Sequence, residues 1–196
     1  MREMLKMDNK NELRRYYKSL RTAMDPYERR RADERICENV LSLEEVRNCR
    51  TVFIYVSGPI EVDTRMLISV LLGQNEKKVC CPKCVKGTNI MEFYRIKSFD
   101  DLEEGAFGIS EPKQQCEKMT EDEESVCLIP GLSFDTKGFR LGFGKGFYDR
   151  FLSDYKGSRI GLCYEACMCE SLPVDSFDIC AQAVVTDKGV VNIRKG

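Results

Sequence analysis

Apolar residues recur at helical spacing near the start of the chain. One stripe follows Asn9, which can cap a helix, and it predicts a first helix over about residues 10–23. A second helix is predicted after Asp25, a capping residue followed by Pro26, which suits the first helical turn. The apolar positions of the two stripes are Leu13, Tyr16, Tyr17 and Leu20, then Ala32, Ile36, Val40 and Leu43. Two helices therefore precede the first predicted strand.

The remainder of the chain alternates strand-like and helix-like segments. A β-α-β unit is predicted from the β-branched and aromatic run at residues 51–56, an amphipathic helix from Asp63 to about Leu72, and a strand around Val79. Further apolar segments predict strands at residues 91–94, 126–129, 159–163 and 183–186. Because continuous apolar strands are typical of parallel sheets covered on both faces, we expect a three-layer α/β/α fold with a mostly parallel sheet, as a single domain over residues 1–196.

A different pattern fills the segment from Gly105 to Ser125. It has little hydrophobic periodicity, and it carries an acidic run at residues 121–124. We therefore predict a long surface loop or mobile flap, in which the acidic run is a solvated face rather than a surface that binds a partner.

Charge and hydrophobicity argue against a nucleic-acid-binding protein and against a membrane protein. The 196 residues include 31 basic and 32 acidic side chains, a net charge of -1, so the chain has no overall positive field to hold a nucleic acid. The apolar stretches are too short to cross a bilayer, and the first residues lack the apolar core of a secretory signal. We expect a cytoplasmic monomer with neither nucleic acid nor membrane as a partner.

Histidine and cysteine usage narrows the chemistry. The chain has no histidine, which excludes nucleophiles activated by histidine and the usual zinc sites that contain it. The number of cysteines, 11, is odd and below the density of a disulfide scaffold, which favours free thiols that act mostly as small core residues. Zinc binding and redox sensing stay open as alternatives, because a CxxC run ends at Cys84 and further thiols follow at Cys163, Cys167 and Cys169.

The strongest chemical signal is a glycine-rich segment at residues 135–150, directly after the predicted strand at 126–129. Glycines occupy the alternate positions 142, 144 and 146, which would let backbone N–H groups converge on an anion. Phosphate is the anion expected to bind there. The helix predicted to follow would add the positive end of its dipole at the same place. The spacing fits neither a Walker A loop nor the dinucleotide fingerprint.

Charged residues accompany these glycines. Arg140 and Lys145 add positive charge to the predicted phosphate cradle, and Asp149 places a carboxylate four residues after Lys145. A carboxylate beside a polyphosphate indicates a magnesium ion. The plain alternative is a surface ion pair between Lys145 and Asp149 over a glycine turn.

Together these residues resemble the signature of a known family. The runs Pro130–Asp135, Arg140–Gly142 and Gly144–Asp149 are similar to that of 5-formyltetrahydrofolate cyclo-ligase, also called methenyltetrahydrofolate synthetase. The agreement spans nearly the whole chain, with further matches at Gly138, at Lys10 and Arg14, at residues 55–57 and 61–64, and at Glu111 and Pro112. The resemblance implies an enzyme that uses ATP and Mg²⁺ to convert 5-formyltetrahydrofolate to 5,10-methenyltetrahydrofolate, with ADP and phosphate as the other products.

The resemblance also implies roles for individual residues. Lys145 and Arg140 would be catalytic, because they would stabilise the transferring phosphoryl group. Mg²⁺ would be held by Asp149 and Asp178. The residues implied to bind ATP are Lys10, Arg14, Arg140, Gly142, Gly144, Lys145, Gly146, Phe147 and Tyr148. The residues implied to bind the folate are Val56, Glu61, Phe143 and Phe147.

Plainer interpretations stay open for several of these residues. Lys10 and Arg14 could form the solvated face of the first helix, and Glu61 could assist a helix cap at Asp63. Tyr55 is interpreted as a core residue of a strand rather than a ligand contact.

The C-terminal third departs from the family pattern around Asp178. Phe177 precedes it where the family commonly has histidine, Gln182 follows where another acid is common, and Cys167 replaces a frequent glutamine. Asp178 could thus be an ordinary loop carboxylate. These departures keep a non-catalytic protein that binds folate or nucleotide open as an alternative.

Overall fold

The structure, a computed structural model, describes residues 9–105, 108–120 and 123–193. The helices of this part of the chain are α1 (Lys10–Thr22), α2 (Pro26–Ser42), α3 (Glu44–Asn48), α4 (Arg65–Leu72) and α5 (Phe147–Leu152). The strands are β1 (Thr51–Ile54), β2 (Lys78–Cys84), β3 (Met91–Ile96), β4 (Leu102–Glu104), β5 (Ser110–Pro112), β6 (Glu117–Met119), β7 (Ser125–Pro130), β8 (Ser133–Asp135), β9 (Arg140–Leu141), β10 (Ser158–Leu162), β11 (Met168–Cys169), β12 (Ala183–Thr186) and β13 (Gly189–Asn192).

A central sheet holds eight of these strands in the order β13-β12-β10-β7-β1-β2-β3-β6. The inner strands β12, β10, β7, β1 and β2 are parallel to one another, and β13, β3 and β6 are added antiparallel at the two ends. This arrangement confirms the predicted α/β fold with a mostly parallel sheet. Two small sheets, β11-β8-β9 and β4-β5, lie beside the central one.

The path of the chain places helices on both faces of the central sheet. The connection from β1 to β2 contains α4, and the connection from β7 to β10 contains α5 and runs in the opposite direction along the sheet. Right-handed crossovers in opposite directions put their helices on opposite faces, which gives three layers. The direction reverses between β1 and β7, so the carboxyl ends of these two strands form the topological switch point of the sheet.

The sheet is buried because its central strands are apolar on both faces. Every residue of β1 and of β7 is buried. On one face the rings of Phe53 and Phe93 pack edge to face with centroids 5.0 Å apart, and Phe151 of α5 contacts both rings. This aromatic cluster attaches α5, and with it the end of the glycine-rich segment, to the core.

The helix starts agree with the predicted caps. The Asn9 side chain accepts a hydrogen bond from the backbone N–H of Asn11 at 2.8 Å, and α1 begins at the next residue. Asp25 Oδ1 accepts from the backbone N–H groups of Tyr27 and Glu28, both at 3.0 Å, at the start of α2. The helix predicted from Asp63 begins two residues later, as α4.

The prediction of a long loop from Gly105 to Ser125 is wrong for the residues that the structure describes. β5 and β6 lie within it, and β6 forms an edge of the central sheet beside β3. Glu111 is buried, and its Oε1 accepts a hydrogen bond from the backbone N–H of Cys84 at 3.2 Å. Strands of three residues are too short to show a hydrophobic period, which explains the error. Of the acidic run, residues 121–122 lie outside the described residues, and Glu124 is exposed.

Most of the cysteines lie in the core, and thiols such as Cys37, Cys127 and Cys167 form no disulfide. Burial raises the pKa of Cys81, Cys127 and Cys163 above the usual thiol value, so these groups remain protonated and unreactive. Among residues 9–105, 108–120 and 123–193, no group of three or more His, Cys, Asp or Glu side chains could hold a metal ion, which removes the support for a zinc site there. None of the described helices has the length and apolar character that a membrane span requires.

Candidate active site

The residues implied to bind folate lie at the carboxyl end of β1. The strand ends at Ile54, and the chain continues through Tyr55 and Val56 to Glu61, all three of which are buried. Gly131 lies at the same end of β7, the strand that pairs with β1. These residues therefore surround the topological switch point, where open α/β sheets leave a crevice for a ligand.

Glu61 is a buried acid with a defined orientation. It is 8% exposed, and its Oε2 accepts a hydrogen bond from the backbone N–H of Gly58 at 2.7 Å. Burial raises the pKa of Glu61 above its usual value, and the Gly58 N–H and the Arg21 charge partly oppose this rise. A buried carboxylate with so few partners inside the protein is suited to accept hydrogen bonds from a ligand.

Two of the open interpretations for this region are resolved by its hydrogen bonds. The Tyr55 hydroxyl is buried and donates to the Val62 carbonyl at 3.2 Å, which confirms Tyr55 as a core residue. Asp63 Oδ1 accepts from the backbone N–H of Arg65 at 2.9 Å, whereas Glu61 bonds to Gly58. The interpretation of Glu61 as a helix-cap residue is therefore wrong.

The glycine loop folds against α1. Gly144 has a φ of 98°, and a Cβ atom at this position would lie 3.3 Å from Cζ of Arg14. Arg14 Nε donates to the Gly142 carbonyl at 2.9 Å, so this guanidinium is held against the loop backbone. A side chain at residue 144 would require both a rare backbone conformation and a displaced arginine, which is the physical reason for glycine there.

Arg140 and Asp149 form a half-buried ion pair at the base of this loop. Arg140 Nη2 donates to Asp149 Oδ1 at 2.7 Å, and Arg140 Nη1 donates to the Ile179 carbonyl at 3.0 Å. The Arg140 side chain is 6% exposed and that of Asp149 is 20% exposed. Lys145 is exposed, and no carboxylate of the described residues pairs with it. The alternative of a Lys145–Asp149 pair is therefore wrong, and Lys145 is left as a mobile cation.

Lys10 links α1 to the second implied metal ligand. Its Nζ lies 2.6 Å from Oδ2 of Asp178 and 2.6 Å from Oδ2 of Asp175. Although burial lowers the pKa of Lys10, the hydrogen bonds to these two carboxylates hold it above its usual value. Lys10 and Arg14 therefore face other site residues, and the interpretation of the pair as a solvated helix face is wrong. Asp178 takes part in the same cluster rather than lying isolated in a loop.

A cleft of about 590 Å³ opens between the start of α1 and the glycine loop. The Lys18 ammonium lies 5.6 Å from the ring centroid of Phe143, at a distance typical of a cation–π contact. The residues that line the cleft are Asn9, Asn11, Arg14, Arg15, Lys18, Phe143 and Gly144. Three cations and one exposed aromatic ring make this cleft suited to an anionic ligand with a flat ring.

Asp149 and Asp178 are connected through the backbone that follows Asp178. The backbone N–H of Ile179, the residue after Asp178, points to Asp149 Oδ1 at 3.4 Å. Asp149 and Asp178 fit Mg²⁺ by their chemistry, because this ion is commonly held by one or two carboxylates together with phosphate oxygens of the substrate. The donor set thus fits a magnesium ion that arrives with a nucleotide.

The aromatic residues of the loop are divided between the two sides of the site. Phe143 is 40% exposed at the cleft, whereas Phe147 is half-buried. The Tyr148 hydroxyl oxygen is buried without a hydrogen-bond partner in the structure. Burial holds the pKa of Tyr148 well above its usual value, and Cys127 and Glu61 lie near enough to act in the same direction. Tyr148 therefore lies between the glycine loop and the Glu61 turn.

Sequence reasoning missed a set of buried polar residues around Glu61. Arg21, Arg29, Asp33 and Tyr164 contact the backbone of residues 60–63. For Arg21 a signal existed, because Lys10, Arg14, Lys18 and Arg21 recur at intervals of about one helical turn along one face of α1. The roles of the other three depend on contacts between distant parts of the chain, and nothing local in the sequence marks them.

The α/β fold, with cations and carboxylates gathered beside a glycine loop, is typical of enzymes that act on phosphate-bearing ligands. The chain belongs to the 5-formyltetrahydrofolate cyclo-ligase family, whose sequence profile matches residues 6–187. This confirms the predicted enzyme class, and with it an ATP- and Mg²⁺-dependent reaction on a folate, as the activity of the family.

Individual relatives agree with this membership. A probable 5-formyltetrahydrofolate cyclo-ligase from Schizosaccharomyces pombe is 35% identical over 173 residues, which are 80% of this chain and 84% of that protein. A mitochondrial 5-formyltetrahydrofolate cyclo-ligase from Arabidopsis thaliana is 34% identical over 90% of this chain and 73% of its own length. The NMR structure of 5,10-methenyltetrahydrofolate synthetase from Aquifex aeolicus superimposes with a TM-score of 0.83 at 39% identity, over 95% of this chain and 94% of that one.

Proposed function

We propose that this chain converts 5-formyltetrahydrofolate to 5,10-methenyltetrahydrofolate, with MgATP bound between α1 and the glycine loop and the folate bound at the Glu61 turn. One observation carries the proposal. Helix α1 brings Lys10 to Asp178 and Arg14 to Gly142, so cations, carboxylates and loop backbone are assembled on the side of the switch point next to Glu61. The residue roles below rest on that assembly.

The triphosphate of ATP is assigned to the cations and the loop. Arg14, held by its bond to the Gly142 carbonyl, and Lys10 would contact phosphate oxygens together with backbone N–H groups of Gly144 to Gly146. Helix α5 has only six residues, so its dipole is small and side-chain charge must supply most of the attraction. Lys145, exposed and unpaired with any described carboxylate, is free to move onto the transferring phosphoryl group.

Asp149 and Asp178 are assigned to magnesium. Both carboxylates are neutralised in the structure by cations, Asp149 by Arg140 and Asp178 by Lys10. A bound Mg²⁺ would supply charge neutralisation for the phosphates and orient them. Arg140 and Lys10 would then donate some of their hydrogen bonds to phosphate oxygens instead of to the carboxylates. Arg140 would act with Lys145 as the second catalytic cation.

The folate is assigned to the other side of the switch point. The Glu61 carboxylate would accept hydrogen bonds from N–H donors of the reduced pterin, and buried Val56 would form an apolar wall. Tyr148, which lies between the glycine loop and the Glu61 turn, would separate the pterin from the nucleotide, and the adjacent Phe147 would add apolar contact with the ligands. Phe143 lines the cleft beside Lys18, so its contact would be with the outer part of a ligand.

The chemistry needs no protein nucleophile. The formyl oxygen attacks the γ-phosphorus of ATP, the bond to the bridging oxygen breaks, and ADP leaves. N10 then attacks the activated formyl carbon and loses its proton, and the carbon–oxygen bond breaks to release phosphate. Arg140 and Lys145 would stabilise the negative charge that develops on the transferring oxygens, which is the largest contribution the protein can make in such a reaction.

An absorbance assay tests this function directly. Purified protein mixed with MgATP and 5-formyltetrahydrofolate is expected to accumulate the methenyl chromophore, with one ADP released per product. The controls are reactions without ATP and reactions with ATP and excess chelator. The absorbance of both should stay constant. Tight folate binding by calorimetry without any ATP-dependent product would contradict the proposal and identify a non-catalytic binding protein.

The proposed working form is a monomer in the cytoplasm. A single chain supplies every residue assigned above, so the site requires no second copy. The Cys37, Cys81, Cys127 and Cys163 thiols form no disulfide, which suits a reducing compartment. Light scattering of the active protein tests the first statement, and localisation of a tagged chain tests the second, with the mitochondrion as the competing outcome.

A further inference from the structure

The turn that carries Glu61 is held through its backbone by side chains from other elements. Arg21 Nη1, from the last turn of α1, donates to the Ile60 carbonyl at 3.0 Å. Arg29 Nη2, from α2, donates to the Glu61 carbonyl at 2.8 Å, and the Tyr164 hydroxyl lies 3.2 Å from the same oxygen. Two consecutive carbonyls of the turn thus accept hydrogen bonds from two arginines, and the Tyr164 hydroxyl contacts the second carbonyl.

Tyr164 also connects these groups to one another. Its hydroxyl donates to Asp33 Oδ1 at 2.7 Å and accepts from Arg29 Nε at 3.1 Å. The same Asp33 oxygen accepts a hydrogen bond from the backbone N–H of Asp63 at 3.0 Å. The backbone is therefore fixed on both sides of Glu61, and Tyr164 is at the centre of the network. We call Arg21, Arg29, Asp33 and Tyr164 the Tyr164 cluster.

The cluster also spans the switch point. Arg21 Nη2 donates to the Gly131 carbonyl, at the carboxyl end of β7, and the Arg21 guanidinium carbon lies 5.2 Å from the ring centroid of Tyr164. One buried side chain, 1% exposed, thereby joins the Glu61 turn to the segment that leads into the glycine loop. The distance between the proposed folate and phosphate sites is thus set by side chains that the proposed ligands need not touch.

We propose that Tyr164 and its cluster are positioning residues that hold the Glu61 carboxylate toward the pterin. The inference rests on the proposed folate site at Glu61. A protein carboxylate that binds a ligand must be held within about 0.5 Å of its productive position. A turn fixed only by its own backbone would not achieve this. The cluster supplies that rigidity from α1, α2 and the chain after β10.

The test compares two tyrosines that lose the same atom. In Tyr164→Phe the hydroxyl next to Glu61 is removed. In the control Tyr155→Phe, a buried hydroxyl 2.9 Å from Ser125 Oγ is removed at the amino end of β7, the other end of the sheet. Both variants should lose stability in denaturant, because each removes a buried hydroxyl together with its hydrogen bonds. Only Tyr164→Phe should raise KM for 5-formyltetrahydrofolate, by about fivefold, with KM for ATP unchanged.

A double variant shows whether Tyr164 acts through Glu61. In the Glu61→Gln background, Tyr164→Phe should raise the folate KM by much less than it does in the unaltered enzyme, because the group that it positions is already impaired. Backbone amides of residues 58–63 should also exchange with solvent faster in Tyr164→Phe than in Tyr155→Phe, which needs no activity measurement. Should Tyr164→Phe fail to fold, Arg29→Lys, at a half-buried position, takes its place.

Each result separates the two proposals. If Glu61→Gln itself leaves the folate KM unchanged, the proposed folate site is wrong and the positioning role falls with it. If Glu61→Gln raises the folate KM while Tyr164→Phe behaves like Tyr155→Phe, the folate site stands and the Tyr164 cluster is merely structural. Full additivity of Tyr164→Phe and Glu61→Gln would also overturn the positioning role.

Discussion

The region proposed to bind phosphate, here the phosphate side, and the region proposed to bind folate, here the folate side, are built in opposite ways. On the phosphate side charged groups pair with one another, as Lys10 does with Asp175 and Asp178. Their exposure ranges from the Arg140 side chain, which is 6% exposed, to the exposed Lys145. On the folate side Glu61 is buried, and its turn is fixed by bonds from three other parts of the chain. The phosphate side must exchange partners when a ligand binds, whereas the folate side is organised beforehand.

This difference has an energetic reason. A bound triphosphate with its metal would give the paired cations and carboxylates new partners of opposite charge, so they could exchange partners without leaving a charge unpaired. A buried carboxylate has no water to reorganise around it, and its partners must be placed by the fold. Substitution of an exposed phosphate-side residue such as Lys145 should therefore change turnover with little effect on stability, and substitutions on the folate side should change affinity and stability together.

Of the substitutions considered, removal of the Lys145 side chain should reduce turnover the most. Because the ammonium is exposed and unpaired with any described carboxylate, Lys145→Ala should leave thermal stability unchanged while kcat falls by about 10²–10³-fold, as for loss of one preorganised charge donor. Steady-state kinetics and a thermal melt measure the two quantities. The matched control is Lys137→Ala, another exposed lysine in the same segment, which should retain full activity. Equal kinetics in the two variants would remove Lys145 from the catalytic residues.

A smaller effect is expected from a methyl group at Gly144. Gly144→Ala must adopt a φ near 98° and would bring Cβ to 3.3 Å from Arg14, so it should lose about 1–2 kcal/mol of stability and raise KM for ATP. Gly87 has a φ of 78° in open space on the turn after β2. Gly87→Ala should therefore show a similar loss of stability with an unchanged KM for ATP. The same change of KM in both variants would mean that strain, and not the displaced Arg14, is responsible.

The two sides also differ in how far the sequence predicts them. On the phosphate side, Gly142, Gly144, Arg140 and Asp149 lie within one short segment whose spacing indicates an anion site. The structure adds the partners that spacing could not give, since Asp149 pairs with Arg140 and not with Lys145. Local spacing thus predicts which residues take part but not which of them meet.

On the folate side most of the determinants are invisible in the sequence. The resemblance marks Glu61, but its backbone is held by Tyr164, more than a hundred residues away along the chain. A buried tyrosine or arginine has no local pattern of its own, because its partners are carbonyls supplied by the fold. The same holds for the elements of the fold: long apolar strands such as β7 were predictable, whereas three-residue strands such as β5 and β6 exist only through their pairing.

Titration of Glu61 should give the smallest of the expected effects, a change of stability and of folate affinity with pH that is specific to this residue. Burial raises its folded-state pKa above the usual 4.5, so the native protein binds this proton more tightly than the unfolded chain does. Protonation therefore stabilises the fold, a contribution that is complete below the usual pKa and lost as pH rises through the raised value. Folate binding has the opposite sign, because the pterin N–H donors need the carboxylate form.

The measurement compares the free energy of unfolding of the unaltered protein with that of Glu61→Gln as pH falls from neutral to below the usual carboxyl range. The difference should move in favour of the unaltered protein, while its affinity for 5-formyltetrahydrofolate decreases and that of Glu61→Gln stays level. Burial also raises the pKa of Asp33, but this acid is present in both proteins, so its contribution largely cancels in the difference. A relative loss of stability of the unaltered protein on acidification would show that the Glu61 pKa is lowered. Glu61 would then not be a desolvated acid that needs hydrogen-bond donors from the ligand.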